Sequence, residues 1–123
     1  MYTNKEIVLK MYEVIFNGHD LSRAGEFIKD DYIQHNPGVE TGLKGFVKAF
    51  TSHFQRFPQF HVEIKRIIAE GDYVVVHLHS KGSPDELGGA VVDIYRFENG
   101  KAAEHWDVLQ KIPAEPIHNN GMF

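Results

Sequence analysis

The chain has no cysteine in its 123 residues. Its absence excludes a disulfide framework, a zinc ribbon and thiol catalysis. No apolar run approaches the ~20 residues a bilayer-spanning helix requires. No basic segment leading into an apolar stretch opens the chain, so a cytoplasmic location is expected and no membrane partner. A net charge of −4 leaves no broad basic field for a phosphate backbone, which argues against nucleic acid. No G-x-S-x-G elbow is present, and Gly88-Gly89 opens a strand instead of cradling a phosphate. Repeats, low-complexity tracts and internal linkers are also missing, so residues 1–123 read as one domain.

What the chain does have is imidazole and aromatic surface: eight histidines, nine phenylalanines and five tyrosines. "TNKE" at Thr3–Glu6 has the form of a capping box. Ile7, Val8, Met11, Tyr12, Ile15 and Phe16 follow at helical spacing towards a stop at Gly18. A second short helix is suggested by Leu21, Ala24, Phe27 and Ile28, and a third by Leu43, Phe46, Val47, Phe50 and Phe54 before Pro58. Between them "DDYIQHNPG" reads as an extended segment stopped by Pro37 and Gly38.

Beyond Pro58 the period becomes two. "FHVEIKRII", "YVVVHLHS", "AVVDIYRF" and "AAEHWDVLQKI" read as strands, joined by turn signals at "EGD" and "ENGK" and by the loop "SPDELGG". Residues 113–123, with two prolines and "NNG", read as an irregular tail. Helices first and an antiparallel meander second predict an α+β fold with helices on one face of a curved sheet.

Three strands carry ionisable groups within apolar sets. His77 and His79 alternate with Val76 and Leu78; Asp93 shares a face with Tyr95 and Phe97; His105 and Asp107 share one with Ala103 and Leu109, opposite Trp106 and Val108. A packed core avoids isolated charges, whereas a ligand pocket is mostly apolar with a few convergent polar groups. The competing reading puts His77 and His79 on a solvated sheet face, makes Asp107 a rim residue paired with a cation, lets His35 brace the turn at Asn36-Pro37, and leaves Tyr12 in the core. Asp93 resists that reading most, because aspartate is disfavoured inside an apolar strand. His77-x-His79 could ligate a metal with His35, Asp93 or Asp107, but no second spaced motif supports it, and no metal is expected.

"YIQHNPG", "GDYVVVHLHS" and "VVDIYRFENGKAAEHWDVLQ" closely resemble the SnoaL-like group of predicted aldol-condensation-catalysing enzymes. These are relatives of the polyketide cyclases within the superfamily of ketosteroid isomerase, scytalone dehydratase and nuclear transport factor two. The resemblance runs from the first helix to Gln110. It implies a cone-shaped α+β barrel, in which three helices close a strongly curved, mainly antiparallel sheet around a deep pocket, and it implies a homodimer. In the cyclases a late-strand aspartate is the general acid/base of an aldol ring closure that uses no metal or cofactor, and Asp107 matches it. In ketosteroid isomerase a tyrosine of the first helix and a strand aspartate donate to the oxyanion, and Tyr12 and Asp93 stand in their places. The isomerase's basic aspartate before a proline is matched here by Asn36, an amide that takes up no proton, so His35, His77 or His79 would have to serve.

The resulting expectation is a cofactor-independent lyase or isomerase acting on a small hydrophobic carbonyl compound. Asp107 moves the proton, with His105 or His79, while Tyr12, His35 and Asp93 orient or polarise the carbonyl. Phe16, Phe50, Phe54, Tyr95 and Trp106 supply the walls, together with Asn36. A non-catalytic ligand-binding or dimerisation module of the same fold is the alternative.

Overall fold

The computed structural model describes all 123 residues. Helix α1 (Asn4–Met11) starts from the expected capping box: Glu6 N–H donates to Thr3 Oγ1, and the Glu6 carboxylate accepts from Thr3 N–H. The helix then widens into a π-helical turn at Tyr12–Asn17, where the sequence reads as one regular helix. The second expected helix is a 3₁₀ turn at Leu21–Glu26. It ends before Phe27 and Ile28, and Ile28 instead opens strand β1 (Ile28–Gln34), paired with Ala102. Helix α2 (Gly42–Arg56) is the third.

Strands β2 (His61–Glu70), β3 (Tyr73–Lys81), β4 (Gly89–Glu98) and β5 (Lys101–Lys111) form the meander. The β4–β5 turn is tight because Asn99 and Gly100 both take positive φ, 50° and 79°, as a two-residue hairpin requires. Strand order is β1-β5-β4-β3-β2, with β1 parallel to β5 and every other pair antiparallel. The sheet is therefore mixed and open, with two free edges not joined into a barrel, and helices pack on one of its faces, the α+β arrangement expected from the sequence. Irregular register at Ile64/Arg66 and Arg96/Phe97 bends the strands locally.

Period two assigns the faces. Val74, Val76 and Leu78 of β3 face the helices with Val91, Asp93, Tyr95 and Phe97 of β4, and all are buried. They pack against Val8, Met11, Tyr12, Ile15 and Phe16 in one hydrophobic cluster that also takes in Tyr32 and Phe46. Each fully buried valine or leucine contributes about 1.5–3 kcal/mol. The tail is irregular, as expected. Its last ring, Phe123, folds back onto the outer face, with centroids 5.4 Å from His77 and 4.8 Å from His79, and Lys65 Nζ over its face. No helix is long and apolar enough to cross a membrane.

Candidate active site

Helices and sheet do not close completely upon one another. Between them lies a cavity of about 400 Å³, most of whose lining residues are hydrophobic. Its polar groups come mainly from the inward set of β4 and β5. Cross-strand pairing sets Tyr95 opposite His105 and Asp93 opposite Asp107, so four polar side chains occupy successive inward-facing rungs of one ladder, with the outward Ile94–Trp106 rung between them. Tyr12 reaches them from the start of the π-helical turn, and Gln34 and Asn36 from the end of β1 and the turn after it.

The hydrogen bonds are ordered. Tyr12 Oη donates to Asp93 Oδ2, and the Tyr95 hydroxyl lies 2.9 Å from that of Tyr12. Since Tyr12 gives its proton to Asp93, Tyr95 is the donor of the second bond. Burial pushes both phenols well above their ordinary 10, with the Asp93 charge adding to the effect. Burial does the same to Tyr32, with Asp93 and Asp107 adding to it. All three remain protonated donors at neutral pH.

His105 occupies the centre. Its Nε2 is 2.8 Å from Asp93 Oδ1 and its Nδ1 is 2.8 Å from Gln34 Oε1. The same Gln34 oxygen accepts Asn36 N–H at 3.0 Å, which fixes that atom as the carbonyl end of the amide. Nδ1 must therefore be the donor towards Gln34. A single proton is left between Nε2 and Asp93, carried by either the imidazolium or the carboxylic acid. Asp107 is held differently: Asn36 Nδ2 donates to both of its oxygens, at 2.9 and 3.0 Å, and its Oδ2 lies 3.8 Å from His105 Nε2. Its side chain is 22% exposed, against 13% for Asp93 and 8% for His105, so Asp107 is the carboxylate most open to an incoming ligand.

The expected residues thus divide. Tyr12, Phe16, Asn36, Phe50, Asp93, Tyr95, His105 and Asp107 converge on the cavity. His77 and His79 do not, because their set is the outward one: Arg66 Nη1 donates to His77 Nδ1, and His79 Nε2 donates to the Leu87 carbonyl at 2.7 Å. His35 and Trp106 stack on each other outside, centroids 4.9 Å apart, and His35 Nε2 meets Glu104 at 2.7 Å. Both neighbours, His35 and then Arg96, hold the Glu104 carboxyl below its ordinary value. Phe54 stacks on His19 at 4.0 Å and does not line the cavity. None of the three histidines offered as bases in place of Asn36 reaches the site. Gln34, Tyr32, Phe46 and His53 also line the cavity and are not among the expected site residues. His53 carries a signal in hindsight, at i+7 from Phe46 and i+3 from Phe50 on one helix face.

Asp93, His105 and Asp107 also present one ligand atom each within 4.8 Å, a spacing that could hold a metal ion. Each of these carboxylate oxygens already accepts a hydrogen bond, from Tyr12 and His105 at Asp93 and from Asn36 at Asp107. The donor set fits hydrogen-bonded proton transfer better than a vacant coordination shell.

The model of the SnoaL-like polyketide cyclase family matches residues 6–116. The chain belongs to the SnoaL-like polyketide cyclase family. Solved structures agree with this SnoaL-like fold. A SnoaL-like polyketide cyclase from Agrobacterium tumefaciens str. C58 superposes with a TM-score of 0.77 at 20% identity, over 90% of this chain and 94% of that one. An uncharacterized cystatin-fold protein from Novosphingobium aromaticivorans gives 0.77 at 27% identity, over 88% and 99%. TsrD from Streptomyces laurentii gives 0.72 at 21% identity, over 88% and 91%. No curated protein sequence matches the chain.

Proposed function

We propose that this SnoaL-like protein is a cofactor-independent acid/base enzyme, a lyase or isomerase that closes or rearranges a small hydrophobic carbonyl compound by enolisation or aldol addition. The observation that carries this reading is the Asp93–His105–Asp107 cluster at an apolar cavity, with one proton shared in the first pair and an open carboxylate beside it.

Asp107 takes a proton from carbon beside a substrate carbonyl. Asn36 holds its two oxygens in place for that transfer. The enolate carbon then attacks a second carbonyl of the same molecule, and a carbon–carbon bond forms. The alkoxide oxygen takes the proton held between His105 and Asp93, and the Asp107 proton later replaces it. Only protons move, so the step is redox-neutral and consumes no co-reactant. Tyr12 and Tyr95, protonated at neutral pH, relay hydrogen-bond donation to Asp93 as charge shifts.

The test is turnover on a panel of enolisable diketones, or proton exchange beside the carbonyl followed by NMR in deuterated buffer. Asp107→Asn is expected to lower the rate by about 10²–10⁴, the usual share of a positioned base, and Asp93→Asn to lower it as well. Unchanged rates in both variants would remove the assigned roles. Tight ligand binding by the wild type with no exchange would favour a binding module.

The same reading includes a homodimer. Ile68, Tyr73 and Val108 are 60%, 46% and 66% exposed, and the register places them on the outer sheet face with Ile94 and Trp106. An apolar face of this kind suits a second copy of the chain.

A further inference from the structure

The acid/base cluster occupies one end of the cavity and does not account for the other. At that other end the lining is Phe60, Val62 and Leu109, with two polar side chains among them: His53 of α2 and Ser80 of β3. Val62 pairs directly with Ser80, and the His53 ring meets that of Phe60 edge-to-face at 4.6 Å, so both polar groups lie beside the start of β2. Asp93 is level with Val76, and Ser80 lies four residues further along the same strand. At strand rise the two ends are about 13 Å apart.

Neither side chain is spent on the fold. The hydrogen bonds of the protein include none to a His53 ring nitrogen or to Ser80 Oγ, although every fully buried polar side-chain atom has a partner. Their polar atoms therefore remain accessible within a lining that is otherwise aromatic and aliphatic. His53 is flanked by the rings of Phe50, Phe54, Phe57 and Phe60. Burial, then the neighbouring His19 and Arg56, holds its imidazole below the ordinary 6.5, so at neutral pH the ring is uncharged. An uncharged imidazole offers one donor and one acceptor, and a serine hydroxyl offers both. That pairing matches a hydroxyl group, which also gives and takes one hydrogen bond. An anion would find no charge there, and a plain hydrocarbon would leave both side chains unpaired.

We infer that His53 and Ser80 form a distal subsite that binds a hydroxyl oxygen of the substrate, at the end of the cavity remote from Asp93, His105 and Asp107. The substrate class is then an elongated, largely apolar carbonyl compound with a second oxygen at its far end. This rests on the acid/base reading, since it takes the reacting carbonyl to lie at the cluster. The far hydroxyl fixes which carbonyl meets Asp107, so the subsite sets orientation as well as affinity.

The test uses two rigid phenols as probes, 4-hydroxybiphenyl and 4,4′-dihydroxybiphenyl, with affinity read by calorimetry. A phenol presents its O–H on sp² carbon, as an enol does. Only the second probe carries an oxygen at both ends. The wild type is expected to bind the diol about threefold to tenfold more tightly than the mono-ol, the yield of one added hydrogen bond, beyond the statistical gain of two equivalent ends. In His53→Leu the ratio should fall to the statistical value, and in His53→Gln, which can still donate and accept, part of it should return. Ser80→Ala should lower the ratio independently, which covers a His53 variant that fails to fold. A statistical ratio in the wild type, an undiminished ratio in His53→Leu and Ser80→Ala, or no binding of either probe overturns the subsite. Failure of the acid/base reading is separate: it shows as unchanged proton exchange in Asp107→Asn, whatever the probe ratio.

Discussion

Asp93 and Asp107 are directly opposed across the β4–β5 ladder, and one imidazole lies within reach of both. Like charges opposite each other destabilise a sheet. The arrangement persists because each carboxylate is answered differently: Asp93 by a shared proton and a phenol, Asp107 by the Asn36 amide. Asp107→Asn removes one charge of the opposed pair but sets an amide NH2 against Asn36 Nδ2, which donates to both Asp107 oxygens, so stability is expected to change by no more than about 1 kcal/mol while turnover falls. Urea denaturation checks this, and a loss well beyond that range would show that the Asn36 contact outweighs the opposed charges.

The phenol relay has a structural cost if cut. Tyr12→Phe keeps the ring, its edge-to-face contact with Phe16 at 4.7 Å and its packing, but strips Asp93 Oδ2 of its donor and Tyr95 of its acceptor. Leaving buried polar groups unpaired costs about 1–3 kcal/mol. Chemical denaturation of the variant beside the wild type reads this directly.

His53 makes stability depend on pH with a definite sign. Its folded-state value lies below the ordinary 6.5, so in mildly acidic solution the unfolded chain binds a proton there that the folded chain refuses. Stability from this residue is complete above about pH 6.5 and is lost as pH falls towards the depressed folded value. The difference in melting temperature between wild type and His53→Phe should therefore shift in the variant's favour on going from pH 7.5 to pH 5.5. A difference independent of pH would contradict the assignment.

The outer face gives a prediction about assembly. Val108→Glu puts a charge beside Val92, Ile94 and Trp106 without touching the cavity lining. The expected result by light scattering is a dimer for the wild type and a monomer for the variant, with the fold retained by circular dichroism. A wild-type monomer at micromolar concentration would remove the dimer.

Much of the site was legible because parity along a strand survives any uncertainty in topology. Asp93 with Tyr95, and His105 with Asp107, were grouped correctly by period two alone, since side chains two apart share a face. Which face turned inward was harder to read. In β3 the inner set is the plain one, Val74, Val76 and Leu78, and the polar histidines look outward. His35 is attractive as a base because Asn36 stands at the isomerase's basic position, yet the last residue of β1, Gln34, turns inward and His35, just after it, stacks on Trp106. Gln34 is not legible as a site residue, because a glutamine in an extended segment carries no chemistry by itself. Its role exists only through the ring of His105, contributed by a strand seventy-one residues away in sequence. The open sheet was likewise unreadable, since closure depends on β1 and β2, which sit at opposite edges.

The π-helical turn at Tyr12–Asn17 bears on how this chain tolerates insertions and deletions. One added residue within a helix advances everything after it by about 100°. Glu13 is exposed and takes no part in the cavity lining, so it looks expendable by contact alone. Excising it would nevertheless throw Val8, Met11 and Tyr12 out of phase with Ile15 and Phe16. The hydroxyl that answers Asp93 would then be lost through a change of winding, with every functional side chain still present in the sequence.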